Sequence, residues 1–212
     1  MGKLVGGPFG QMSGKTGDLV GGSWKGIATI KRYQPKVANP RTATQIAQRS
    51  KMAYCVKFAQ AILASVIKPC WDRFQSQQSG FNAFVSRNIA IFDNDVPTDM
   101  TSLITSSGKM DATPVATITA TKAQKNLTLT WLNDSGQGFK LATDKAFVVA
   151  VSADNGYIKG FATNVARSAM SATITMDNDL TPDDVMYVYL TFLRADGTVV
   201  SNSSHISKTV AV

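Results

Sequence analysis

The chain has 212 residues, with 22 Lys and Arg, 14 acidic residues, a formal net charge of +8 and 44% hydrophobic residues. This length suffices for two domains of about 100 residues, each able to bury a core without metals or disulfides. No run approaches the roughly 18 apolar residues of a membrane span, and no basic stretch with an apolar run opens the chain. We therefore expect no membrane partner and no secretion signal.

The positive charge belongs to one half of the chain. Residues 1–95 contain 13 Lys and Arg against 4 Asp, a balance of +9, whereas residues 96–212 contain 9 against 10. Together with the patterns below, this predicts an α+β fold of two domains: a basic β-hairpin and helical domain at 1–95 and a β-sandwich at 112–212, joined by a linker at 96–111. We expect residues 112–212 to fold alone.

A glycine-rich segment opens the chain. Gly10–Thr16 ends like a phosphate-binding loop, but Phe9 stands where that loop needs a glycine, and neither a buried strand before it nor a helix after it is predicted. The segment instead favours a β-hairpin, with Gly21 and Gly22 as a two-residue connector. A flexible arm that reaches a neighbouring subunit would use such a sequence.

Cationic and aromatic side chains on this arm, and at the start of the next element, are the candidate docking residues. They are Lys15, Trp24, Lys25, Lys31, Arg32, Lys36, Arg41 and Arg49. These side chains are suited to binding an acidic surface or copies of the same chain. The alternative is that they are ordinary surface charges exposed to solvent, without a binding role.

Helical signals begin after Pro40. Thr42 followed by Gln45 is a capping box, and a helix of about 25 residues should follow. Its apolar stripe recurs at three- and four-residue spacing and comprises Met52, Val56, Ala59, Leu63 and Val66. Pro69 ends or kinks this helix, or serves as an early residue of the next one.

Five aromatic residues occupy the next predicted helices, among them Trp71, Phe84 and Phe92. At this spacing they are typical of a buried face. Stacking on nucleic-acid bases beside Arg73 and Arg87 is the alternative.

Four short sequence words occur in a fixed order: Ser13–Gly17, Gly22–Gly26, Asn39–Thr42 and Gly80–Ser86. This succession resembles an uncharacterised domain family of Bacteroidota and their bacteriophages, over about residues 5–92. The resemblance implies no activity and no functional residue. Its link to phage genomes implies a virion component, assembled in the host cytoplasm.

The second half shows seven short runs of strand-forming residues separated by turn signals. They are 116–121, 127–132, 146–151, 157–162, 172–176, 186–193 and 199–203. Strands at this spacing predict a seven-stranded β-sandwich. Two features resemble the fibronectin type III or immunoglobulin-like pattern. They are Trp131, and the segment Leu180–Pro182 that leads into Tyr187 and Tyr189. The cysteines do not span the sheets, which excludes the antibody type.

Catalytic and metal-binding residues are few. Cys55 and Cys70 are expected to be buried free thiols, with a disulfide as the alternative. His205 is the single histidine and lies far from both in sequence. The acidic cluster Asp177–Asp184 matches no calcium-loop spacing, although a weak Ca²⁺ site is an alternative. We expect no cofactor, no metal and no enzymatic activity.

Three classes of function remain. The first is a structural virion protein (a tail, connector-ring or capsid-associated subunit) that forms homo-oligomers and binds other virion proteins. The second is a nucleic-acid-binding protein that uses the basic half, with salt-dependent affinity. An enzyme is the third and least supported, because no acid–base or nucleophile pair is visible.

Overall fold

The structure of the chain is a computed structural model. It describes residues 2–4, 12–36, 39–93, 96–121, 126–153, 158–176 and 185–209. The acidic cluster Asp177–Asp184 and the turn at Asp154–Gly156 lie outside these residues. Among the helices so described, none has the length and hydropathy needed to cross a membrane.

The N-terminal segment forms a small antiparallel sheet. Its strands are β1 (Gly2–Leu4), β2 (Gly14–Thr16), β3 (Leu19–Trp24) and β4 (Ile27–Arg32), in the order β1-β4-β3-β2. We call residues 12–36 the arm.

The predicted hairpin exists, but its predicted turn is wrong. Gly21 and Gly22 lie inside β3, and the two-residue turn is formed by Lys25 and Gly26, with φ of 46° and 81°. Two positive φ values match the twist of hairpin strands. Gly21 serves close approach instead, because a Cβ there would lie 2.4 Å from the backbone oxygen of Met12.

The helical region contains α1 (Ala43–Ala61), a π-helical turn (Leu63–Ile67), α2 (Lys68–Trp71) and α3 (Gly80–Asn88). The predicted cap is confirmed, since the Thr42 hydroxyl accepts the Gln45 N–H at 3.4 Å. Pro69 lies in the first turn of α2, as an early residue of that helix.

The predicted apolar stripe of α1 is only partly correct. Met52 is 44% exposed, whereas Ala59 and Val66 are buried. The buried face is shifted toward Cys55 and Phe58, which fill the same core. The aromatic residues of the helices lie in this core too, as the packing interpretation predicted.

Two further sheets form a β-sandwich. Its strands are β7 (Val115–Thr121), β8 (Asn126–Trp131), β9 (Lys145–Ser152), β10 (Ile158–Ala166), β11 (Ser171–Thr175), β12 (Val185–Leu193) and β13 (Ser204–Thr209), and a short pair, β5 (Phe92–Asp93) and β6 (Val96–Pro97), precedes them. One sheet has the order β10-β9-β12-β13 and the other β11-β8-β7. The seven strands agree with the predicted architecture. The seventh was placed wrongly at 199–203, which makes only isolated bridges.

The helices pack on the outer face of the four-stranded sheet, so the described fold has three layers. Alternate residues of β9 point into the sandwich, for example Val148, while Phe147 and Val149 join the core formed with the helices. In β12, Phe192 faces the sandwich and Tyr189 faces the helices. The central sheet is therefore apolar on both sides.

Residues 96–111, predicted as a linker, take part in this packing. Met100, Leu103 and Met110 are buried, and the Trp71 indole donates to the Thr105 carbonyl at 2.7 Å. The Tyr189 hydroxyl donates to the Met100 carbonyl. The helices and the sandwich share a core, so their packing does not separate them into two units. The division into two domains therefore stays a prediction.

A buried ionic network lies at one end of the sandwich. Arg167 is fully buried and forms ion pairs with Asp134 and Asp144, and its backbone carbonyl accepts the Trp131 indole N–H at 2.9 Å. Lys140 pairs with Asp134 at 2.6 Å. This network connects the loop between β8 and β9 to the segment between β10 and β11.

Candidate docking surface

The arm lacks a core of its own. Among described residues 12–54, only Gly21 and Ala28 are buried, and neither apolar core contains an arm residue. A sheet of this size needs an apolar face covered by something to be stable in water. Within the described chain little covers it, which makes the arm a candidate docking surface.

One face of the arm carries both apolar and cationic side chains. Strand register places six side chains on the same side of the sheet: Lys15, Val20, Trp24, Ile27, Thr29 and Lys31. We call this the Trp24 face. Trp24 is 59% exposed, and Val20, Ile27 and Thr29 are half-buried. Tyr33, at the opposite end of the hairpin from Trp24, is 40% exposed.

The Trp24 face combines apolar surface with positive charge. The Lys15 ammonium lies 3.6 Å from the centre of the Tyr33 ring, a cation–π contact. Three predicted docking residues, Lys15, Trp24 and Lys31, thus share one surface. Val20 and Ile27 were missed, although their alternation with small and polar residues is the signal of a one-sided strand.

Three other predicted docking residues lie away from this face. The Lys25 ammonium donates to the backbone carbonyl of Gln78, which ties the arm's turn to the loop before α3. Arg32 pairs with Leu19 on the opposite side of the sheet. Lys36 lies beyond β4 and is exposed. The structure does not unite these three with Trp24.

The start of α1 forms a second exposed area. Ile46 is 50% exposed, and no residue from 43 to 53 is buried. Arg41 and Arg49 flank a shallow depression of about 430 Å³ with Ile46 and Ala53 in its wall. Arg49 donates to the Asn39 side chain and to the Pro40 carbonyl, which holds the chain before the helix.

The structure also shows where the residues of two other candidate sites lie, the phosphate-binding loop and the cysteines. Lys15 lies on a strand, followed by a turn and another strand rather than a helix, so the geometry of a phosphate-binding loop is absent from the described arm. Cys55 and Cys70 are buried free thiols, as predicted. Burial raises the pKa of Cys55 to about 11 and that of Cys70 to about 12, which disfavours thiolate chemistry.

His205 lies within β13 rather than beyond the last strand, and its ring is 6.1 Å from that of Tyr189. Among the residues placed by the structure, no three metal-ligating side chains lie together. The predicted Ca²⁺ alternative at Asp177–Asp184 falls outside them.

A family model described as a family of unknown function, DUF6266, matches residues 11–207. The chain belongs to this family. The DUF6266 match includes the arm, the helices and the sandwich, and so extends well beyond residues 5–92, where the sequence words were recognised. No curated protein matches the chain.

Among solved structures, the DUF6266 chain is similar to fibronectin type III domains. The FN1–FN3 domains of chicken CNTN1 share 8% identity and a TM-score of 0.37, over 50% of this chain and 34% of that one. The FN5 domain of Drosophila Lar shares 13% identity and a TM-score of 0.30, over 49% and 97%. The chain thus spans about a third of the chicken protein fragment. The sandwich is defined here by its own strand pairing.

Proposed function

We propose that the chain is a non-enzymatic structural subunit of a bacteriophage particle, assembled in the host cytoplasm, which binds copies of itself and other virion proteins through its arm. The observation that carries this proposal is that Gly21 and Ala28 are the only buried residues among residues 12–36, which form the arm. The resemblance to a family of Bacteroidota and their phages supplies the biological setting.

The Trp24 face supports a protein partner. Exposed aromatic side chains are typical of interface centres, where a large side chain enters a pocket of the partner, and charged side chains are typical of the surrounding rim. A second copy is the occupant we favour, because an arm that meets a different patch on the next copy repeats from subunit to subunit, and such a contact gives a closed ring when the rotation between copies closes. Each subunit would then supply the cover that its neighbour's arm lacks.

Light scattering on chromatographed protein tests this proposal. We expect a discrete oligomer for the wild type and a monomer for Trp24→Asp, since a carboxylate on the Trp24 face opposes burial. Ser23→Asp is the matched control, because Ser23 neighbours Trp24 but points to the opposite face. A wild-type monomer, or equal dissociation by both variants, would contradict the proposal.

The alternative function is nucleic-acid binding. Lys15 and Lys31 lie on the same exposed face as Trp24, and cations beside exposed aromatics suit single-stranded nucleic acid. Binding through this face would weaken steeply with salt. A salt titration with a single-stranded oligonucleotide, compared between wild type and Lys31→Ala, distinguishes this function from oligomerisation.

A further inference from the structure

A second feature lies far along the chain from the arm, where the helices meet the sandwich. A depression of about 640 Å³ opens between the π-helical turn with α2 and the ends of β9, β10 and β12. Four cationic side chains line it: Lys68, Arg73, Lys145 and Arg194. Asp196 is the acidic residue among its lining residues.

None of the four cations lies within ion-pair distance of a carboxylate among the residues the structure describes, although the pKa of Asp196 is lowered by its hydrogen bonds from Thr198 and, to a smaller extent, by the charge of Arg194. The ion pairs found there involve other groups. The Asp196 carboxylate already accepts the backbone N–H and the hydroxyl of Thr198, at 2.8 and 2.6 Å. An excess of positive charge therefore faces the depression.

Arg194 is fixed in the wall of the depression. Its Nη2 donates to the Phe139 carbonyl at 3.2 Å, and its Nε is buried without an acceptor among the described residues. Arg194 therefore contributes positive charge to the depression rather than a free pair of donors.

Three irregular backbone segments converge on the same place. The π-helical turn contributes Ser65, and a bulge in β10 contributes Asn164, whose φ is 63°. The turn after β12 contributes Gly197, over which Arg73 lies. π-turns and β-bulges are over-represented at functional sites, because they redirect groups that regular structure would aim elsewhere.

We propose that this depression binds a small phosphate-bearing anion with two or more negative charges. The exposed Arg73 guanidinium offers forked donors that fit phosphate oxygens, and Lys68, Lys145 and Arg194 add positive charge around it. Phe147 and Leu193 form an apolar part of the wall, which reduces the local dielectric and strengthens each charge interaction. The site is distinct from the Trp24 face.

Calorimetric titration with pyrophosphate tests the proposal. We expect saturable binding at low ionic strength, weakened by about tenfold or more in Arg73→Ala and in Lys145→Ala, since each loses a charge-assisted contact. Both side chains are exposed, so the fold should survive, which thermal unfolding checks. Lys109→Ala removes an exposed cation outside the depression and should bind like the wild type.

Two comparison ligands decide the chemistry. Citrate should bind more weakly than pyrophosphate, and equal affinity would overturn the phosphate assignment. A single-stranded oligonucleotide should bind independently of Arg73; if it binds through Arg73 while pyrophosphate does not, the small-anion proposal is wrong. Absence of pyrophosphate binding, or equal loss in Lys109→Ala, overturns it too.

Discussion

The arm differs from the three-layer body, which consists of the helices and the two sheets of the sandwich, in how far its apolar side chains are covered. In the body, β9 and β12 are covered on both faces, by the helices on one side and by the second sheet on the other. In the arm, Trp24, Lys15 and Lys31 on the Trp24 face are exposed, and none of its side chains is fully buried among the described residues. The contrast separates a part whose apolar faces are covered within the described chain from a part that we propose binds a partner.

Removing one layer of the body should have the largest effect. Without the helices, Phe147, Val149, Val151 and Tyr189 would become exposed in a fragment of residues 112–212. Each such side chain contributes about 1.5–3 kcal/mol, a sum comparable to the whole stability of a domain. Our sequence-based expectation that residues 112–212 fold alone is untested, and the shared core leads to the opposite prediction: the fragment should lack a sigmoidal thermal transition by circular dichroism. Cooperative unfolding like that of the full chain would show that the sandwich is independent.

Two tryptophans compare the regions directly. Trp131 is 2% exposed and packs edge-on against Phe192, so Trp131→Ala should lower the free energy of unfolding by about 3–5 kcal/mol. Trp24 is exposed on one face of the arm, so Trp24→Ala should change the free energy of unfolding of the monomer by less than about 0.5 kcal/mol. Denaturant titration at low protein concentration measures both. Similar losses would mean that the arm has a hidden core.

Acid should weaken the body through its ionic network. Burial acts to raise the pKa of Asp134, but hydrogen bonds from Lys140 and Thr113 and the charge of Arg167 bring this pKa below its ordinary value. Since the unfolded carboxyl titrates near about 3.9, this stabilisation is complete above that pH and is lost as the pH falls through the lower folded pKa.

Asp134→Asn should therefore lower stability by about 1–3 kcal/mol at neutral pH, with the difference from wild type shrinking below about pH 4. Asp111→Asn, at an exposed position, is the control and should follow the wild-type curve. Denaturation curves recorded from about pH 2.5 to about pH 7 give the free energy of unfolding of each variant for this comparison. A constant difference at every pH would contradict the role given to Asp134.

Two helix caps should show the smallest effects. Ser79 caps α3, where its hydroxyl accepts the Asn82 N–H at 3.1 Å, and Ser79→Ala should cost about 1 kcal/mol. Thr42 caps the exposed start of α1, so Thr42→Ala should fray that end and leave the melting temperature of the body nearly unchanged. Circular dichroism at 222 nm and thermal unfolding separate the two results. Equal shifts in melting temperature would place the start of α1 within the cooperative body.

Much of the body could be predicted because its signals are local. The Thr42 cap and six of the seven sandwich strands follow from residues next to one another in sequence. The seventh strand was misplaced because Val200 belongs to an isolated bridge, while β13 alternates weakly around His205.

The packing of helices on the sandwich was missed, although a signal existed. The run Phe147–Val151 is apolar without alternation, which is typical of a strand covered on both faces. The hairpin turn was missed because a glycine pair is the stronger turn signal, whereas Lys25 takes a positive φ that lysine rarely adopts.

The site could be predicted only in part. Lys15, Trp24 and Lys31 were identified from composition, but their common face follows from a strand register that the misplaced turn had shifted. The basic depression was not predicted at all. Lys68 and Arg194 come from distant parts of the chain, and only the packing of the helices on β9, β10 and β12 brings them together.

Amide hydrogen exchange, measured as a function of protein concentration, tests the central claim most directly. The account predicts that the amides of β3 and β4 exchange rapidly in the dilute monomer and become protected as the chain oligomerises, while those of β9 and β12 are protected at every concentration. Protection of the arm that is already complete in the dilute monomer, and does not change on concentration, would contradict it.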